Sequence, residues 1–159
     1  MHPTRNDLSE QSRSMVCELL NQRLVDLIDL GLQAKQAHWN VKGSSFLSLH
    51  ELFDQVAGVL PEMIDEVAER IVALGGTADG TVTTVAAKTS LPGYPVDISC
   101  GKEHTTKLAN AIAEVAQRVR ASIGQAGDAA DEGTADLLTG ISRELDKQLW
   151  FVESHLQGG

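Results

Sequence analysis

The stretch SFLSLHELFDQVAGVLPEMIDEVAERIVAL, Ser45 to Leu74, predicts one long helix that opens after Gly43-Ser44-Ser45 and closes at Gly75-Gly76. His50 and Asp54 are spaced i,i+4, and so are Asp65 and Glu69, so each pair shares one helix face a turn apart. Asp54 and Asp65 are close to three full turns apart, so all four side chains point roughly the same way while the pairs stand about 16 Å apart along the axis. One small cation cannot touch both pairs. A second copy packed antiparallel across a two-fold axis would bring His50 and Asp54 of one chain opposite Asp65 and Glu69 of the other, twice per dimer. The spacing therefore predicts a partner copy of the chain together with a metal.

Upstream, Val16, Leu20, Leu24, Leu27, Gly31 and Ala34 recur at helical spacing, and this stripe runs on to His38. Its imidazole thus continues a buried or interfacial face. Taken singly, His38 fits a satisfied core histidine, and each of the other four fits the surface of a charged helix. The joint pattern, H-x(11)-H-x(3)-D-x(10)-D-x(3)-E, favours a ligand set. Imidazole with carboxylate suits borderline and hard divalent ions, and a cysteine-free set argues against structural zinc, copper(I) or an iron–sulfur cluster. Zinc, manganese or cobalt could occupy the same groups.

Four long helical segments are expected, near 9–40, 46–74, 99–124 and 134–156, giving an all-α four-helix bundle. The connection over 75–97 contains Gly76, Gly80, Pro92, Gly93 and Pro95, and is long enough to cross the bundle from end to end. One domain over 1–159 is expected, with 1–8 as a short N-terminal tail. At 159 residues and 42% hydrophobic with few aromatics, the chain suits helices joined through aliphatic contacts. No run of about 18 apolar residues and no basic-then-apolar leader is present, so neither a membrane span nor a signal peptide is indicated, and a cytoplasmic location is expected. Cys17 and Cys100 form no C-x-x-C pair and read as reduced thiols in buried structural roles.

Lys35-Gln36-Ala37-His38-Trp39-Asn40-Val41, Gly43, Leu49-His50-Glu51, Phe53-Asp54, Asp65, Ala68-Glu69-Arg70 and Leu74-Gly75-Gly76 together resemble the signature of Dps proteins, miniferritins first described as DNA-binding proteins of starved cells. The resemblance continues through Tyr94-Pro95-Val96-Asp97-Ile98, Thr134-Ala135-Asp136, Asp146-Lys147 and Leu149-Trp150-Phe151. It implies a ferritin-like four-helix bundle whose one long crossover carries a short helix, here at Thr81–Lys88. It further implies a ligand set of His38, His50 and Asp54 from one subunit with Asp65 and Glu69 from its two-fold mate. The implied reaction is oxidation of Fe(II), preferably by hydrogen peroxide, with storage of ferric mineral in a hollow dodecamer and protection of cell and DNA. The runner-up is a mainly nucleoid-binding or structural stress protein with weak catalysis. Ordinary ferritins instead bring Glu-x-x-His motifs into the bundle interior. No E-x-x-H occurs in this chain, which directs the chemistry to the space between subunits.

Trp39, beside a ligand, reads as a packing or interface aromatic, or as a radical trap next to redox iron. Lys35, three residues before His38, can reach the site carboxylates or stay solvated. The net charge of −9 includes an acidic group at Asp128, Asp131, Glu132 and Asp136, with Glu144 and Asp146 further along. Carboxylates ordinarily favour a helix N-terminus. In a family with acidic three-fold pores, Asp136 is the first pore candidate, with Glu132 and Asp146 behind it, because an acidic lining concentrates Fe(II). Residues 1–8 offer Arg5 and no lysine, so strong DNA binding through a lysine-rich tail is not expected. Pro61, with Gly58, lies between the ligand pairs, where a kink would alter their reach.

Overall fold

The computed structural model describes residues 1–157; Gly158 and Gly159, the end of the domain expected over 1–159, lie outside the described residues. Five helices follow one another: α1 (Glu10–Asn40), α2 (Phe46–Ala73), α3 (Val82–Lys88), α4 (Gly101–Asp128) and α5 (Glu132–Glu153). α1 pairs with α2 and α4 with α5, and the two hairpins close into a bundle where α1 meets α4 and α2 meets α5. The short α3 lies in the crossover against α1. This is the expected all-α bundle with one long crossover carrying a short helix.

The stripe read from α1 is core: Val16, Leu20, Leu24, Leu27 and Ala34 are fully buried. α2 contributes Leu49, Phe53, Val56, Leu60, Met63, Val67 and Ile71 to the same core. Advancing about 100° per residue, the four expected ligand positions of α2 fall on the side away from that apolar stripe. Asp54, Asp65 and Glu69 are accordingly exposed and His50 half-buried. The helix end matches its Gly75-Gly76 stop. Gly75 takes φ 85°, and a Cβ there would stand 2.6 Å from the His2 carbonyl oxygen. Such a left-handed residue at a helix terminus is the usual place for glycine.

A polar face of α1 holds the crossover. Asn21 bonds the Thr77 carbonyl and receives the Asp79 N–H, Asp26 receives Ser90, Asp29 receives Thr89, and Gln33 reaches the Pro92 carbonyl. Residues 75–97 thus have specific anchors along α1.

Several expectations need correction. α4 passes through Gly124 and Gly127 to Asp128, because the stop chemistry sits later: Ala130 adopts φ 60° and the Asp131 N–H returns to the Ala126 carbonyl at 3.0 Å. α5 begins at Glu132, two residues early, because Asp131 caps it by accepting the Thr134 N–H at 2.9 Å. Cys17 is buried as expected, but Cys100 is exposed, since it is the N-cap of α4. Pro61 removes the backbone donor that would bond Ala57, yet α2 remains one helix from Phe46 to Ala73 with Pro61 on its exposed side.

Candidate metal centre

His38 occupies the last turn of α1, and His50 the start of α2 after a short connection. Their rings stack with centroids 3.7 Å apart and an interplanar angle of 24°. Each ring then holds the other's backbone: His38 Nδ1 lies 2.7 Å from the His50 carbonyl oxygen, and His50 Nδ1 lies 2.9 Å from that of His38. A carbonyl only accepts, so each Nδ1 carries a proton, and each neutral ring keeps its lone pair on Nε2. This tautomer is the one a metal-binding imidazole needs, with its other nitrogen oriented by a backbone carbonyl.

One turn on, Asp54 accepts a hydrogen bond from Lys35 Nζ. That bond holds its carboxyl below the usual carboxylate range, and the positive charge of Lys35 adds to the effect. The structure therefore brings His38, His50 and Asp54 to one end of the α1–α2 pair. Asp65 and Glu69 are not brought there; they lie exposed in the far half of α2. Among the described residues, no three His, Cys, Asp or Glu side chains converge closely enough to hold a metal ion. Trp39 is 65% exposed beside the site, its indole outside the core of its own chain.

A model of the ferritin-like domain matches residues 17–158. The DNA protection during starvation protein of Agrobacterium fabrum is 45% identical over 156 residues, spanning 98% of this chain and 96% of that protein. The chain belongs to the Dps family of ferritin-like proteins. Among solved structures, Mycobacterium smegmatis Dps superposes with a TM-score of 0.94 at 33% identity, covering all of this chain and 96% of that one. DpsC from Streptomyces coelicolor gives 0.93 at 32% identity, covering all of this chain and 92% of its own.

Within this Dps fold the three pore candidates differ. Glu132 and Asp136 are exposed in the first turns of α5. Asp146 is neutralised by Arg120, which donates to both of its carboxylate oxygens at 2.6 and 2.8 Å. Asp131 leaves the acidic group altogether. It is 2% exposed and bonded to Arg70 at 2.6 Å, so the residue after Glu69 is tied to the α5 cap. The spacing of Lys35 and His38 pointed to the Lys35 contact. Nothing local in the sequence pairs Arg70 with Asp131, which is a contact between α2 and the start of α5.

Proposed function

We propose that this Dps-family protein is a ferroxidase that oxidises Fe(II), preferably with hydrogen peroxide, at sites shared between two copies of the chain, and stores the ferric product in a hollow cage. The observation that carries this reading is the pair of carbonyl-oriented imidazoles beside Asp54, with Asp65 and Glu69 of the same α2 too far along the helix to join them. His38, His50 and Asp54 of one subunit with Asp65 and Glu69 of its two-fold mate would hold the substrate iron. Their donors suit it: imidazole holds Fe(II), carboxylate stabilises Fe(III), and zinc or another divalent ion can compete. Two-electron reduction of peroxide releases little hydroxyl radical, which joins storage to protection of the cell and its DNA. The name of the Agrobacterium relative agrees with a protective role.

An apolar groove of ≈ 460 Å³ beside Lys35 and Asp54, lined by Ile28, Leu32, Ala57, Leu60, Pro61 and Ile64, supports a second copy against this face. A dodecamer built from such dimers is the proposed assembly, with Asp136 and Glu132 at its pores and Asp146 a weaker contributor. DNA binding is proposed to be weak or absent. Arg5 is the only lysine or arginine in residues 1–8, and the His2 N–H is bonded to the Gly75 carbonyl rather than free. No helix is long and apolar enough to cross a membrane among the described residues, and the proposed location is the cytoplasm, with nucleoid association as the second reading.

Anaerobic Fe(II) loading followed by peroxide tests the proposal. The wild type is expected to develop ferric absorbance and a soluble mineral, and His38→Ala with Asp65→Ala to lose both. No peroxide consumption by the wild type would sink the reading.

Lys35 must release Asp54 before that carboxylate can bind metal fully. Lys35→Met is therefore expected to tighten Co(II) binding about tenfold, roughly the worth of one hydrogen bond to a charged group. Anaerobic Co(II) titration measures it, and unchanged affinity would show that the lysine does not compete.

A further inference from the structure

Outside the ligand set, Tyr94 of the crossover and His104 of α4 form a phenol–imidazole pair. The Tyr94 hydroxyl lies 2.7 Å from His104 Nδ1, and the rings stack with centroids 5.9 Å apart at 16°. His104 is 1% exposed, and its Nε2 makes no hydrogen bond. With the phenol donating, the neutral ring accepts at Nδ1 and carries its proton on Nε2. Burial keeps both groups uncharged: it pushes the Tyr94 phenol up and the His104 imidazole down from their ordinary values.

The pair adjoins the candidate metal centre. The Lys42 N–H, four residues beyond His38, donates to the Ser99 carbonyl at 2.9 Å, and His104 lies in the first turn of α4, which starts two residues after Ser99. We propose that Tyr94 is a one-electron donor to the oxidant at the iron site, and that His104 takes its phenolic proton. The inference rests on the peroxide-driven iron oxidation proposed above. Peroxide needs two electrons, and a site holding a single Fe(II) supplies one. Tyr94 supplies the second. The O–O bond breaks, two solvent protons complete two waters, Fe(II) becomes Fe(III), and the phenolic proton moves to His104 Nδ1. A neutral tyrosyl radical and an imidazolium remain. The next Fe(II) returns an electron to the radical and His104 returns the proton, so the pair is regenerated. This route closes the half-filled site to hydroxyl-radical release. A pair that only latches the crossover onto α4 would make no radical.

Tyr94 is the only tyrosine in the chain, so a tyrosyl resonance has one source. Assembled protein given one Fe(II) per site and then peroxide is frozen for electron paramagnetic resonance, with a spin trap in a parallel sample. The wild type is expected to show a neutral tyrosyl signal. Tyr94→Phe is expected to lose it and to release severalfold more trapped hydroxyl radical, with unchanged helicity and sedimentation. Iron oxidation in the wild type without a tyrosyl signal, or equal spin-trap yields, would overturn the proposal. A second arm uses iron-free protein and photogenerated tris(bipyridine)ruthenium(III). There His104→Gln is expected to slow tyrosyl formation about a hundredfold, the low end for a positioned base. Equal rates would overturn the role of His104. If the wild type oxidises no Fe(II), the ferroxidase reading fails by itself, and the ruthenium arm still decides whether Tyr94 and His104 act as an oxidisable pair.

Discussion

Two inactive variants are expected to rescue each other when they share a cage. One carries His38→Ala with His50→Ala, the other Asp65→Ala with Glu69→Ala, and each alone is expected to lose metal binding at every site. A two-fold dimer containing one of each has one site built from both damaged sets and one built from both intact sets. Random pairing at equal expression makes half of the dimers mixed, so about a quarter of wild-type sites return. Anaerobic Co(II) titration of the coexpressed assembly reads this directly. A control sharpens the result. Replacing the second partner by Asp54→Ala should restore no complete site, because the intact histidines then lie on the chain that lacks Asp54. No rescue in the first mixture would place all five groups in one chain and overturn the shared site; rescue in the control would move Asp54 to the other side.

The rescue experiment depends on a property of α2 that its sequence already displays. Its core positions, Leu49, Phe53, Val56, Leu60, Met63, Val67 and Ile71, form one stripe, and periodicity alone puts His50, Asp54, Asp65 and Glu69 off it. The bundle and the crossover were equally legible, because aliphatic periodicity and glycine or proline punctuation are local signals, whereas α3 was expected from the resemblance to Dps proteins alone. What was not legible is long-range. Asp131 reads as one more surface acid until Arg70 of α2 is seen against it. Tyr94 and His104 belong to the crossover and to α4, and no spacing rule brings a loop phenol to a helix imidazole. The end of α4 was misplaced for a different reason. Gly124 carries the usual stop residue, but the left-handed turn falls on Ala130, which has no propensity for it. Cys100 was misjudged because a residue type that favours burial sits at a helix cap, where the backbone geometry decides its exposure.

Asp26→Ala is expected to cost about 3–5 kcal/mol, the usual consequence of leaving a buried charge without its partner. Asp26 is 0% exposed and accepts from Arg23 Nη2 at 2.8 Å, from the Ser90 N–H at 3.0 Å and from its hydroxyl at 2.7 Å. Arg23 is nearly as deep, and its Nη1 donates to the Arg118 carbonyl and to Ser122. Burial lowers the Arg23 pKa, and the Asp26 carboxylate is what raises it again. Removing that carboxylate strands a guanidinium in the bundle and unties the crossover at Ser90 at the same time. Asp26→Asn keeps an acceptor for Ser90 and should lose less. The double replacement Arg23→Met with Asp26→Leu separates the two effects, since an apolar pair of similar volume is often neutral or stabilising. It should recover most of the denaturation midpoint while leaving residues 89–93 more open to proteolysis than in the wild type. Urea unfolding at fixed subunit concentration is the measurement, because assembly shifts apparent stability by mass action. If Asp26→Ala unfolds within about 1 kcal/mol of the wild type, below the range for a broken buried pair, water must reach Arg23, and the ion pair would not be what fixes the crossover to α1.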